Sequence, residues 1–141
     1  MITFLSRGVP SIYRDRDRLR TWLTAVARDH GHRIGDLNYV LMSDRELLKY
    51  NRAFLRHDEF TDVITFDGSS GSGPRGTEVS GDVLMSLDRI RENAGHYESS
   101  VQGELRRVMV HGLLHLLGHS DKTTALRKAM RAQEDKYLAH Y

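Results

Sequence analysis

Apolar residues recur at helical spacing in several separate stretches of the chain. In the first of them, residues 11–30, they fall at positions i, i+3, i+4 and i+7, and Gly31 can end that helix. Later stretches begin with serines, whose hydroxyl oxygens can accept backbone N–H groups at the start of a helix. The first predicted helix, residues 11–30, has Leu19, Trp22, Leu23 and Val26 on its apolar side, and the second is capped by Ser43 and Asp44 and has Leu47, Leu48 and Phe54 on its apolar side. A third helix is predicted from Ser86 to about Tyr97, and a fourth from Ser99 or Ser100 to Leu117. The last predicted helix contains Leu126, Met130 and Tyr137.

Short alternating or β-branched runs predict strands between these helices. The predicted strands are residues 2–5, 37–42, 62–66 and 79–85. Residues 67–76 are rich in glycine and serine, and Pro74 lacks a backbone donor, so we expect a flexible connection there. The mixed order of strands and helices predicts one α+β or α/β domain over residues 1–141 rather than a bundle or a barrel.

The composition limits the cellular locations and the classes of partner that can be expected for this protein. The chain has no cysteine, which excludes a disulfide, a thiolate ligand and a cysteine nucleophile. The N-terminus lacks the charged start and long apolar centre of a signal peptide, and no segment reaches membrane-spanning length. We therefore expect a cytoplasmic protein without a membrane partner. The net charge of +2 permits an anionic partner such as RNA but does not by itself indicate one.

The helix that ends near Leu117 contains the candidate chemistry. Apolar side chains surround it almost completely, which predicts that the helix is buried. These residues are Val108, Met109, Val110, Leu113, Leu114, Leu116 and Leu117. His111 and His115 lie four residues apart, so their side chains rise from one face of the helix, and Asp121 follows the turn that Gly118 permits.

Two imidazoles and a carboxylate are ligands that zinc accepts in catalytic sites, where a fourth position stays open for water. Nickel, iron or cobalt could also bind such a set. His119 is an alternative third ligand, because it lies close to Asp121 and histidine is the commoner metal ligand, but the motif spacing favours Asp121. The other alternative is that His111 and His115 are hydrogen-bonded core residues without a metal.

The residue after the first histidine separates this motif from that of zinc peptidases. In those enzymes a glutamate at this position acts as the general base. Here the position is Gly112. The sequence therefore argues against peptide cleavage even though the metal ligands are of the same type.

The segment His111-Gly-Leu-Leu-His115-Leu-Leu-Gly-His-Ser-Asp121 resembles the signature of the bacterial YbeY proteins. The resemblance extends upstream, where Asn51, the segment Thr61-Asp-Val-Ile-Thr-Phe66 and the run Gly81-Asp-Val resemble further motifs of that family. It covers residues 37–138, and three motifs in the same order are more specific than any one of them. The chain is identified as a member of the family.

The resemblance implies an α+β domain in which a mixed sheet of about four or five strands packs against helices and a zincin-like helix holds the metal. It implies a metal-dependent endoribonuclease, with one zinc ion per chain, that hydrolyses phosphodiester bonds of single-stranded RNA. The implied process is maturation of ribosomal RNA, including the 3′ end of 16S RNA, and ribosome quality control. The implied partners are RNA and ribosomal or ribosome-associated proteins.

Two departures from the family pattern affect the site. Asp121 stands where the family usually has a histidine, which retains a ligand but changes the charge of the site. Leu55 stands where the family usually has a functional arginine. Arg56, or Arg52, is the candidate replacement and we include Arg56 among the expected catalytic residues, although solvated charges at a helix end are an equally good interpretation.

Two other functions remain open at this point. A ribosome-assembly factor could bind RNA and protein with a purely structural metal. A metal-dependent hydrolase could act on a different substrate. The native metal, the general base, the cleavage site and the oligomeric state do not follow from the sequence.

Overall fold

The computed structural model describes residues 1–56, 60–68 and 78–141. Within these residues, four strands form one mixed sheet and five helices pack against it. The elements are β1 (Ile2–Ser6), α1 (Arg16–Asp29), β2 (Arg33–Met42), α2 (Asp44–Phe54), β3 (Val63–Asp67), β4 (Glu78–Ser86), α3 (Leu87–His96), α4 (Val101–Leu116) and α5 (Thr124–Ala139). The predicted α+β class with a mixed sheet is confirmed.

The strand order in the sheet is β1-β2-β4-β3. The first three strands are parallel, and β3 runs antiparallel to β4. Val63 of β3 pairs with Met85, and Asp67 pairs with Gly81. The strand β3 is therefore an edge strand within the described sheet, and it lies next to the helix that contains the two histidines.

Two apolar clusters lie on the two sides of the sheet. The larger cluster joins the sheet to α1, α3, α4 and α5, and its fully buried members include Leu23, Leu37 and Met109. The smaller cluster joins Val40 and Ile64 to α2 on the other side. The alternation of side chains along each strand produces this division, because neighbouring residues face opposite sides of a sheet. The predicted burial of α4 follows from its place in the larger cluster.

Several element boundaries differ from the sequence predictions. The helix α1 begins at Arg16 rather than at Ser11, directly after Asp15, which has a φ of 53°. The strand β2 begins at Arg33 rather than at Leu37, because its first residues pair with the start of β4.

The predicted flexible connection over residues 67–76 falls only partly on described residues. Asp67 belongs to β3 and not to the connection. Residues 69–77 lie outside the described residues. Of the helices in the part of the chain that the structure describes, none is long and apolar enough to cross a membrane.

Candidate metal centre

The two histidines lie on one face of α4, at the side of the main core. Nε2 of His111 is 3.0 Å from Nε2 of His115. The rings meet edge to face with centroids 4.6 Å apart. Both side chains are partly buried, with 21% of His111 and 25% of His115 exposed. The two imidazoles therefore remain partly exposed while the helix that holds them is buried.

Asp121 completes a group of three ligand atoms. The helix α4 ends at Leu116, and Gly118 then adopts a φ of 102°, a conformation that residues with a Cβ rarely adopt. The turn brings Oδ2 of Asp121 to 3.3 Å from Nε2 of His115 and to 3.6 Å from Nε2 of His111. These atoms lie within 4.8 Å of one another, so one metal ion could be held by all three. Their role as ligands remains a prediction.

A glutamate from the last helix fixes the ring of His111. Oε2 of Glu134 lies 2.6 Å from Nδ1 of His111. Because a carboxylate only accepts hydrogen bonds, Nδ1 donates its proton to Glu134, and in the neutral ring the lone pair is then on Nε2, the atom that faces Asp121. Arg107 donates to Glu134 at 2.9 Å and to Asp135 at 2.6 Å. Carboxylates of this kind orient metal-binding histidines in known sites.

Glu134 was not among the predicted site residues, although the sequence contains a signal for it. Glu134 lies four residues after Met130 and three before Tyr137, on the apolar side of α5, and only 5% of it is exposed. A charged residue on a buried helix face requires a partner. The sequence could have indicated that Glu134 has one, but not that the partner is His111.

His119, the alternative third ligand, is placed elsewhere. Its Nε2 lies 2.8 Å from Nε2 of His30, whose Nδ1 donates to the carbonyl oxygen of Val26 at 2.9 Å. Burial, together with the charges of His30 and His115, lowers the pKa of His119 below its ordinary value. Within the described residues, the group of converging ligand atoms contains Asp121 and does not contain His119.

Burial and nearby charges control protonation around the centre. Burial lowers the pKa of His111, but the hydrogen bond and the charge of Glu134, together with the charges of Asp62 and Asp121, outweigh burial, so the pKa is raised above its ordinary value. Burial also raises the pKa of two carboxyl groups, Asp62 and Glu104, that line a cavity together with His111. These carboxyl groups therefore retain protons more readily than exposed ones do.

The candidate ligands His111 and Asp121 line a cavity of about 210 Å³. Its other described lining residues are Asp62, Asn93, Tyr97, Glu104, Arg107, Val108, Arg127, Met130, Arg131 and Glu134. A larger cavity of about 520 Å³ lies between α1 and α5 and touches none of the candidate ligands. The smaller cavity is the one that matters for chemistry at the centre.

Arg56, the fourth expected catalytic residue, lies apart from these three. It is the second residue after the end of α2, it is exposed, and its φ of 55° is unusual for a residue with a side chain. It is not among the described residues that line the 210 Å³ cavity. The structure brings His111, His115 and Asp121 together and leaves the role of Arg56 a prediction.

Comparison with known proteins agrees with the resemblance of the motifs. The sequence model of the family described as Endoribonuclease YbeY matches residues 11–141. The chain belongs to the YbeY family. The endoribonuclease YbeY of Cytophaga hutchinsonii is 47% identical over 98% of this chain and 94% of its own length. That of Phocaeicola vulgatus is 40% identical over 99% of this chain and 97% of its own length.

A solved structure shows that the YbeY-family fold extends over nearly the whole chain. The solution structure of a Thermotoga maritima protein is similar to this one with a TM-score of 0.62 and 26% sequence identity. The match covers 98% of this chain and 87% of the other. The two chains therefore share one fold over that length.

Proposed function

We propose that this YbeY-family protein is a metal-dependent endoribonuclease that hydrolyses phosphodiester bonds of single-stranded RNA. The observation that carries the proposal is the convergence of His111, His115 and Asp121 at a cleft, in a chain whose relatives are named endoribonuclease YbeY. The proposed process is ribosomal RNA maturation, carried out by residues 1–141 as one domain. Such a role would place the protein in the cytoplasm, in contact with ribosomes and ribosomal proteins.

We propose zinc as the ion that His111, His115 and Asp121 bind. Tetrahedral zinc with bonds of about 2.0–2.1 Å separates its ligand atoms by about 3.3 Å. The distances between the three candidate ligand atoms, 3.0, 3.3 and 3.6 Å, fit this spacing. When bound, zinc supplies a Lewis acid that polarises a phosphodiester and lowers the pKa of water.

The residues of the chain prepare the site for this chemistry. Glu134 keeps the proton of His111 on Nδ1, so that Nε2 is free to bind a cation without a change of tautomer. Arg107 forms an ion pair with Glu134, and this contact holds the carboxylate of Glu134 beside His111. An unpaired RNA segment would suit this cleft, because its bases are free to contact side chains, whereas a duplex keeps its bases paired and stacked.

We also propose that Arg56 contacts RNA. Its exposure and its position two residues after the end of α2 support this role. The substitution Arg56→Ala is expected to weaken RNA binding and to make binding less dependent on salt, because one phosphate contact is lost. Unchanged affinity and salt dependence would contradict the role of Arg56.

The test of the function uses purified protein with its metal content measured. Single-stranded and structured RNA are incubated with the protein and with a His115→Ala variant prepared in parallel, which controls for contaminating nucleases. We expect cleavage of the single-stranded RNA by the unsubstituted protein and none by the variant. Equal cleavage by both proteins, or none by either, would contradict the proposal. If His111→Ala unfolds the protein and the unsubstituted protein shows no turnover, a structural metal is the better explanation.

A further inference from the structure

Two arginines of α5 face the cavity that His111 and Asp121 line. Arg127 and Arg131 are four residues apart, so their side chains rise from the same side of the helix. Both belong to the lining of the 210 Å³ cavity. The candidate metal centre and the two guanidinium groups therefore share one cleft.

Neither arginine forms a close ion pair with a carboxylate in the described part of the chain, although the charge of Arg131 acts on Glu104 and partly offsets the rise in its pKa. Arg127 donates to the carbonyl oxygen of Asp121 at 3.4 Å and to the hydroxyl of Thr124 at 3.1 Å. Arg131 lies over the ring of Tyr97, 5.6 Å from its centroid. Arg107, in the same cavity, differs from both because two carboxylates bind it. A guanidinium has five N–H donors, so Arg127 and Arg131 retain donors for an anion from outside the protein.

The cavity needs such cations if it is to accept a phosphate chain. Asp62 and Glu104 also line it, and when they are ionised their negative charges oppose the approach of a phosphodiester, whereas the charge of Asp121 would be offset by a bound zinc ion. The fourth lining carboxylate, that of Glu134, is paired with Arg107. The guanidinium groups of Arg127 and Arg131 are the charges in the described lining that can offset this repulsion.

Tyr97 adds an aromatic surface at the same place. It follows the end of α3, and 56% of it is exposed. The ring of His96 meets it edge to face, with centroids 4.9 Å apart. Exposed aromatic rings beside arginines stack unpaired bases in proteins that bind single-stranded nucleic acids.

We propose that Arg127 and Arg131 bind backbone phosphates of single-stranded RNA and that Tyr97 stacks one of its unpaired bases, beside the candidate metal centre. This assignment rests on the proposed function, because it names how the RNA substrate is held at that site. It explains why the cleft would accept unpaired RNA and not a duplex: the base that stacks on Tyr97 must be free of a pairing partner.

The test measures the affinity of the full-length protein, as purified, for a fluorescent unstructured oligoribonucleotide at several salt concentrations. Titrations are kept cold, and the recovered RNA is checked on a gel for cleavage. We expect Arg127→Ala and Arg131→Ala each to weaken binding about five- to tenfold. Each should also reduce the slope of log affinity against log salt by about 0.7, the value for one lost contact to a single strand.

Two further variants separate this site from general charge effects. Lys128→Ala removes the same charge from the same helix, but Lys128 is exposed and does not line the cavity. It should leave the affinity and the slope close to those of the unsubstituted protein. Tyr97→Leu should weaken binding about tenfold with the slope unchanged, because stacking releases no counterions.

Metal content and the unfolding midpoint are measured for every variant, and Arg127→Gln and Arg131→Gln replace any alanine variant that does not fold. Equal losses for Lys128→Ala and the two arginine variants would overturn the assignment. So would unchanged binding by the arginine variants in a protein that still cleaves RNA, a result that leaves the proposed function intact. If the unsubstituted protein with bound metal neither binds nor cleaves RNA, the proposed function fails together with this assignment.

Discussion

At the scale of single residues, the contact between Glu134 and His111 connects the last helix to the candidate metal centre. The hydrogen bond of 2.6 Å fixes both the tautomer and the ring orientation of His111. Arg107 holds Glu134 in place from the other side. A change at Glu134 should therefore alter metal binding without removing a ligand.

The first prediction concerns Glu134→Ala. We expect the variant to bind zinc about 10- to 100-fold more weakly, because the ring of His111 loses the carboxylate that orients it. The measurement is competition for zinc with a chelator of known affinity. Asp135→Ala is the matched control, since Asp135 binds the same arginine without touching His111. Equal zinc affinity in Glu134→Ala and the unsubstituted protein would contradict the orienting role.

The convergence of the three candidate ligands could be predicted from the sequence, whereas the hydrogen bonds around them could not. The spacing of His111 and His115 on a helix, and the turn at Gly118, depend on local geometry and could be read along the chain. The contact with Glu134 joins residues 23 positions apart and depends on how α5 packs on α4. The bond between His119 and His30 depends likewise on the packing of α1. Local spacing contains no information on either contact.

At the scale of secondary structure elements, α4 lies unusually close to the sheet at Gly112. A Cβ at this position would lie 2.5 Å from Cγ1 of Val83 in β4 and 3.5 Å from Cγ2 of Thr65 in β3. Val83 is fully buried and cannot move away easily. The glutamate of zinc peptidases at this position would meet the same obstacle, so Gly112 has a packing role here.

The second prediction concerns Gly112→Ala. We expect the added methyl group to lower the free energy of unfolding by about 1–3 kcal/mol, as overpacking does in buried sites. Urea unfolding followed by circular dichroism gives the value. Gly95→Ala, in α3, is the control: no atom lies within 4 Å of its Cβ, and alanine should raise the stability by up to about 1 kcal/mol. Equal stabilities of the Gly112→Ala variant and the unsubstituted protein would show that the close approach has no energetic cost.

The starts of α2, α3 and α4 were predicted well because their caps are local. The hydroxyls of Ser43, Ser86 and Ser100 each accept a backbone N–H three residues further on, as expected from the sequence. Ser100, not Ser99, caps α4. The early start of β2 was missed because Gly35 and Asp36 are unfavourable in strands, and only pairing with β4 makes the first residues of β2 a strand.

At the scale of the whole molecule, buried tyrosines join the layers. The hydroxyl of Tyr39 donates to the carbonyl oxygen of Met109 at 3.0 Å, which links the sheet to α4. The hydroxyl of Tyr13 donates to the carbonyl oxygen of Leu5 at 2.8 Å. Burial raises the pKa of Tyr39 and of Tyr13 far above the ordinary value. Burial, with a hydrogen bond to Asp29, raises the pKa of Tyr137 to about 12.

The third prediction is a loss of stability at alkaline pH. In the unfolded chain tyrosines ionise near pH 10, whereas the folded protein keeps these three phenols protonated to higher pH. Because the folded state then binds more protons, the free energy of unfolding should be unaffected by them below about pH 10 and should fall above it. Each tyrosine contributes at most about 1.4 kcal/mol per pH unit. Denaturant unfolding at a series of pH values measures the slope.

The variant Tyr39→Phe tests the assignment of this slope. Its free energy of unfolding should fall less steeply above pH 10, because one buried phenol no longer contributes to the pH dependence. Tyr97→Phe, which changes an exposed tyrosine, is the control and should keep the slope of the unsubstituted protein. Identical slopes in all three proteins would assign the alkaline loss to other groups.

The most direct measurement of the metal centre is X-ray absorption at the edge of the metal that the purified protein contains. We predict scattering from two imidazole rings together with oxygen donors, and the loss of an oxygen donor or of the metal in Asp121→Ala. Scattering from three imidazoles would place His119 in the centre instead of Asp121. A spectrum without imidazole scattering would contradict the account that His111 and His115 hold the metal.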